Sequence, residues 1–141
     1  MKKTLSVICV MLLAALTLCA CGSRIKTPSH ACGGSWERID IPSSVNFKEA
    51  TIDITDDSFT YTLTSDKSTI VYTGTAKTTG DKSMVLNISK MKQVNNADNK
   101  VLQEKTIEQS ESDATPAYAQ LNDAGNLVLR LDTVEAEFRR K

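Results

Sequence analysis

Histidine occurs once in the 141 residues, as His30, and tryptophan once, as Trp36. A single histidine excludes a histidine-based metal centre and a Ser-His-Asp triad within a folded domain. His30 stands two residues from Cys32 in a stretch without periodicity, so this pair lacks the fixed geometry that a nucleophile and its base require. Net charge is missing as well. The 17 basic side chains balance the 17 acidic ones and form no basic stripe, which argues against a nucleic-acid partner. No CxxC pair and no glycine-rich phosphate loop occurs. Asn95, Asn96, Asp98 and Asn99 have the composition of a calcium loop without its spacing or its closing glutamate. Asp53, Asp56 and Asp57 are the one carboxylate group worth testing as a glycosidase pair. However, Asp56 and Asp57 fall in a turn and Asp53 alternates outward. The chain therefore reads as a non-enzyme without catalytic residues, metal or cofactor.

Long apolar runs are also absent, with one exception at the N-terminus. Residues 1–20 hold 15 apolar side chains, whereas the remaining 121 residues hold 42. Lys2 and Lys3 precede a 16-residue run from Leu5 to Ala20, broken only by Ser6 and Thr17. That run is shorter than the ~20 residues a spanning helix needs and has the layout of a secretory leader. It ends in Leu18-Cys19-Ala20-Cys21-Gly22, which resembles the lipobox of bacterial lipoproteins. The resemblance implies that Cys21 receives a diacylglyceryl group and becomes the mature N-terminus. Cys19 would place Leu18 where a small residue is expected. Gly22, not being aspartate, would permit sorting to the outer membrane in a Gram-negative host. The implied location is extracytoplasmic, on the cell membrane or outer membrane, with palmitate-type acyl chains as the anchor. Loss of Lys2 and Lys3 with the leader leaves 15 basic against 17 acidic side chains. It also leaves Cys32 as the only unmodified thiol, expected to be exposed and dispensable.

Residues 21–34 contain Ser23, Pro28, Ser29, Gly33 and Gly34 and read as a flexible tether. From residue 35 the pattern changes to alternation. Phe59, Tyr61 and Leu63 share one face while Thr60, Thr62 and Thr64 share the other. Ile52 and Ile54, Met84 to Ile88, Leu127 to Leu131 and Val134 to Phe138 repeat the period of two, which marks half-buried antiparallel strands. Nine threonines between Ile52 and Thr79 favour pleated backbone. The predicted strands are 36–41, 50–55, 58–64, 68–77, 83–91, 115–121, 126–132 and 134–140. The run at 101–107 suits helix or strand equally, and Lys92 to Ala114 reads as a polar excursion. Asp, Gly and Asn clusters between the runs give hairpin turns. About eight consecutive strands without helical crossovers predict an all-β, up-and-down antiparallel meander. Such a meander removes its edges by closing into a small barrel, with a two-sheet sandwich as the alternative.

Gly34-Ser35-Trp36, at the start of the first strand, matches the Gly-x-Trp signature of lipocalins, and Arg139-Arg140-Lys141 ends the last. Phe59 to Ile88 is similar to the small lipocalin-like domains of bacterial surface lipoproteins. The resemblance spans roughly residues 34–141, taking in the expected domain at 35–141, and departs from the family in its shortness, in its lack of the disulfide and in its lack of a C-terminal helix. It implies that Trp36 plugs the barrel floor beneath a basic side chain. Parity with Val134, Ala136 and Phe138 selects Arg140 for that role.

Val134 and Leu131 join Ile52, Phe59, Ile70, Met84, Leu86 and Leu127 in the expected inward set. This bulky set points to a filled interior with a shallow mouth, where Tyr61 and Tyr72 are the candidate ligand-contacting residues. The expected function is a membrane-anchored lipocalin-like domain binding a small apolar or amphipathic molecule in the cell envelope. The alternative is a protein-interaction lipoprotein: an envelope assembly factor, a pilotin-like escort or a surface inhibitor.

Overall fold

The computed structural model describes residues 28–108 and 116–141. Residues 1–27, which include the expected leader and Cys21, and the stretch 109–115 lie outside the described residues. Among the described residues, nine strands follow one another: β1 (Gly34–Arg38), β2 (Glu49–Ile54), β3 (Ser58–Thr64), β4 (Ser68–Gly80), β5 (Ser83–Asn95), β6 (Val101–Thr106), β7 (Ala117–Leu121), β8 (Leu127–Leu131) and β9 (Val134–Arg140). All pairings are antiparallel, β9 returns to β1, and β4 pairs with β5, so the sheet closes on itself. β6 and β7 occupy one position in the ring. β7 lies along Ser83 to Leu86 of β5 and β6 along Lys90 to Val94, on the same side and in the same direction. They are one interrupted strand, and the ring is an eight-stranded, lipocalin-like up-and-down barrel. Closure is what the period-two pattern requires, because it leaves one apolar face inside and, among the described strands, only β6 with an outer edge that no strand pairs.

The turns at 55–57, 81–82 and 122–126 lie at the end of the barrel that holds the start of β1, called the floor here. The loop 39–48 and the turns 65–67 and 132–133 lie at the opposite end, the mouth. Inward side chains lose cover from floor to mouth. Along β8 and β9, Leu127 and Phe138 are 0% exposed, while Leu131 and Val134 at the far ends reach 40% and 62%. The core is therefore concentrated at the floor, around Trp36, Ile52, Ile54, Met84, Leu86, Leu127 and Phe138. Leu131 and Val134 keep the predicted inward parity but are not core residues. They flank the short turn at Asp132 and Thr133, above the last complete layer.

Three further expectations change. β5 continues to Asn95 and 101–106 is a strand, so the first part of the supposed polar excursion is sheet. A Lys90–Glu104 ion pair and the facing Val94 and Val101 tie the two strands together. Residues 28–33 are not a free tether: they run across the floor as a strap. Asp56 Oδ1 accepts the amides of Ser29 (2.8 Å) and His30 (3.2 Å), and His30 Nε2 donates to the Gly80 carbonyl at 2.7 Å. Finally, Cys32 is fully buried, and its thiol donates to the Lys82 carbonyl at 3.3 Å. Gly74 meets a different demand. Its φ is not in the left-handed region, but a Cβ there would overlap the Asn87 carbonyl oxygen across the β4–β5 bulge.

Candidate functional site

Two constellations stand out, one at each end. At the floor, Trp36 and Arg140 are direct register partners on β1 and β9. The Arg140 guanidinium carbon lies 4.3 Å from the centroid of the Trp36 ring, within cation–π range. The same guanidinium donates to the Gly33 carbonyl at 3.0 Å and the Ala31 carbonyl at 3.1 Å, so it joins strap, indole and last strand. Trp36 Nε1 donates to the Cys32 carbonyl at 2.9 Å, which satisfies the only polar atom of a ring that is 1% exposed. Arg139 points outward to Glu37. His30 Nδ1 accepts the Cys32 amide while Nε2 donates to Gly80, which assigns the neutral tautomer protonated at Nε2. Burial pushes the Cys32 thiol above its ordinary pKa, against smaller opposing effects from the Leu121 backbone and the Arg140 charge. A thiol so placed is a packed core group rather than a nucleophile.

Above the floor, β3 and β4 bring Tyr61 and Tyr72 together as register partners, with ring centroids 6.2 Å apart and planes at 26°, but neither lines the mouth pocket described below. Tyr61 also meets Phe138 edge-on at 6.1 Å, so its ring rests on the core while its hydroxyl neighbours Arg38. Burial raises the Tyr61 phenol above its ordinary pKa, partly offset by the neighbouring Arg38 charge, so it remains a neutral donor at physiological pH.

Arg38 is the functional candidate that sequence reasoning missed. It lies opposite Phe138 in register and two residues from Trp36, which puts it on the inner face. Its side chain is only 8% exposed, its Nε donates to Asp40 at 3.0 Å, and its guanidinium carbon lies 5.6 Å from the Phe47 ring centroid. The signal was present in the parity that assigned Trp36 inward, but a charged residue was not followed along it.

Above this layer, Phe47, Leu63, Ile70, Ser68, Gln93 and Asn46 line a pocket of about 240 Å³. This is below the ~300–1,000 Å³ common for small-molecule sites, so a drug-sized ligand would not fit whole. Gln93 donates to the Ser68 hydroxyl at 3.1 Å, leaving the apolar walls as the main contact surface. Two larger depressions lie on the outer wall: one bordered by Gln120, Val128 and Arg130, the other by Val71, Lys90 and Val94. Neither reaches the interior, because these residues alternate outward along their strands. Among the described residues, no group of three or more His, Cys, Asp or Glu side chains is placed to hold a metal ion. No described helix is long and apolar enough to cross a membrane. No family model matches the chain, and comparison with curated proteins and with solved structures finds no match either.

Proposed function

We propose that this protein is a lipid-anchored, extracytoplasmic barrel that takes a small apolar or amphipathic ligand at its mouth. The observation that carries this reading is the gradient of cover inside the barrel. The floor half is packed solid, while inward apolar side chains at the mouth end are left partly uncovered around a pocket walled by Phe47, Leu63 and Ile70. Apolar surface left concave and open is where burial by a ligand gains most, at about 25 cal/mol per Å² removed from water. The lipid anchor rests on Leu18, Ala20 and Cys21 at the end of the apolar run. Seven residues, from Cys21 to Thr27, separate the proposed lipid from the strap and span at most ~25 Å. An anchor this short would hold the floor near the bilayer and turn the mouth away from it.

Two measurements test the reading. Titration with the neutral fluorophore N-phenyl-1-naphthylamine should give saturable enhancement that Ile70→Asp abolishes without unfolding the barrel. Non-saturating enhancement, or equal binding by the variant, would remove the ligand site. Labelled palmitate should enter the wild-type chain and not Cys21→Ser; equal incorporation would remove the anchor.

A second reading has its own support. β6 is exposed at all six residues, including Val101 and Leu102, which suits a protein partner in the envelope. Native mass spectrometry of protein from its host would show a retained small molecule under the first reading and a co-purifying protein under the second.

A further inference from the structure

A charged side chain on the inner wall of a barrel is costly to place, because burial strips a guanidinium of water that the protein must replace. Arg38 is such a group, with nine-tenths of its side chain covered. None of its nitrogens is both fully buried and without a hydrogen-bond partner, so those the protein does not engage stay accessible. Asp40 engages Nε alone, and the same carboxylate oxygen also accepts the Glu137 amide at 3.1 Å. The Tyr61 hydroxyl stands beside the guanidinium, and the Phe47 ring offers its π face. The two terminal amino groups, the fork that suits a carboxylate, have no carboxylate or carbonyl partner among the described residues. Phe47 is shared: its ring lies near Arg38 and also walls the mouth pocket with Leu63 and Ile70. A fork of positive charge therefore stands one aromatic ring away from an apolar pocket.

From this juxtaposition we propose that the mouth selects a small carboxylate-bearing amphiphile. Its carboxylate is bound by the terminal amino groups of Arg38 and the hydroxyl of Tyr61, and its short apolar body lies along Phe47, Leu63 and Ile70. The proposal rests on the ligand-binding reading above and adds the charge and class of the ligand. Asp40 then has a definable role as the resident competitor, neutralising Arg38 when the mouth is empty. The pocket favours a slender apolar body, and a bulkier one would protrude from the mouth.

The test uses the chain from residue 22 onward, which holds every described strand, and measures displacement of N-phenyl-1-naphthylamine by decanoate and by decanol. Decanoate should bind more tightly than decanol by on the order of tenfold. Arg38→Gln should erase that preference while leaving decanol unchanged. Asp40→Asn should strengthen decanoate only, because it removes the competing charge but keeps an acceptor for the Glu137 amide. Trp36 emission monitors folding of each variant, and Asp40→Asn keeps the proposal testable if Arg38→Gln does not fold. Equal binding of decanoate and decanol, or a preference that survives Arg38→Gln, would overturn the carboxylate assignment while leaving an apolar site standing. Loss of fluorophore binding by the wild-type chain would overturn the ligand site and the assignment together.

Discussion

Replacing Arg140 with alanine removes three interactions at once, and their sizes can be separated. The contact with the Trp36 face at 4.3 Å is worth about 0.5–1 kcal/mol at a partly exposed site. The bonds to the Gly33 and Ala31 carbonyls add about 0.5–1 kcal/mol each, the lower part of the range because Arg140 itself is exposed. The expected loss is about 1.5–3 kcal/mol, a fall in Tm of roughly 6–13 °C for a barrel of this size. Arg139 is the internal control. It meets Glu37 at 3.4 Å with both side chains largely in solvent, and such a pair contributes less than about 0.5 kcal/mol. Trp36 is the only tryptophan, so its emission reports the floor without interference. Arg140→Ala should shift that emission to longer wavelength in the native state, as the strap loosens and water reaches the indole, whereas Arg139→Ala should not. Arg140→Lys should recover part of the stability, since an ammonium keeps the charge but cannot span both carbonyls from a flat fork. If thermal melts of Arg140→Ala and Arg139→Ala coincide and neither moves the emission, the floor is held by apolar packing alone.

Cys32→Ala should cost about 1–2 kcal/mol in a denaturant titration, because it leaves a void at a site with no exposure. The native thiol should resist a thiol reagent at pH 8 and react once the barrel unfolds. Its raised pKa also sets a sign: the thiol's contribution is complete below the unfolded value near ~8.5 and is lost as pH climbs through the higher folded value. Cys32→Ala should accordingly flatten the alkaline limb of a stability–pH curve. Gly74→Ala should lose more than about 2 kcal/mol or fail to fold, since its methyl group would compete with the Asn87 carbonyl for the same space. Wild-type stability in that variant, seen in the same titration, would mean that β4 and β5 are farther apart at the bulge.

Period two carried most of the strand assignment because eight positions of the ring bury one face only. Phe59 to Leu63 and Val134 to Phe138 show that face directly. Alternation says which way a side chain points but not how far along the barrel the core extends, so Leu131 and Val134 read as core although they sit at the mouth. β6 escaped for a related reason. All its side chains are exposed, and Leu102 falls at a bulge between Gln93 and Val94, which breaks the parity. The strap was illegible because its order is wholly non-local: Asp56 lies 26 residues from His30 in sequence and Gly80 lies 50. A Pro-Ser-His-Ala-Cys-Gly-Gly segment viewed alone has the composition of a linker. Arg38 was legible in principle, through its parity with Trp36, but an arginine between Glu37 and Ile39 gives no local sign of burial.

The strap also settles how tension would enter the molecule. A pull on the chain ahead of Pro28 meets the Ser29 and His30 amides on Asp56 first, then the His30 bond to Gly80, then the Cys32 thiol and the two Arg140 bonds. These contacts belong to two hairpin ends and the end of β9, so the load is divided before it reaches Gly34. β1 lies between β2 and β9, and the force then runs along its axis, across two ladders that must shear together rather than unzip one bond at a time. The segment therefore behaves as a strain relief, in which the outermost bonds yield and re-form while the barrel stays closed.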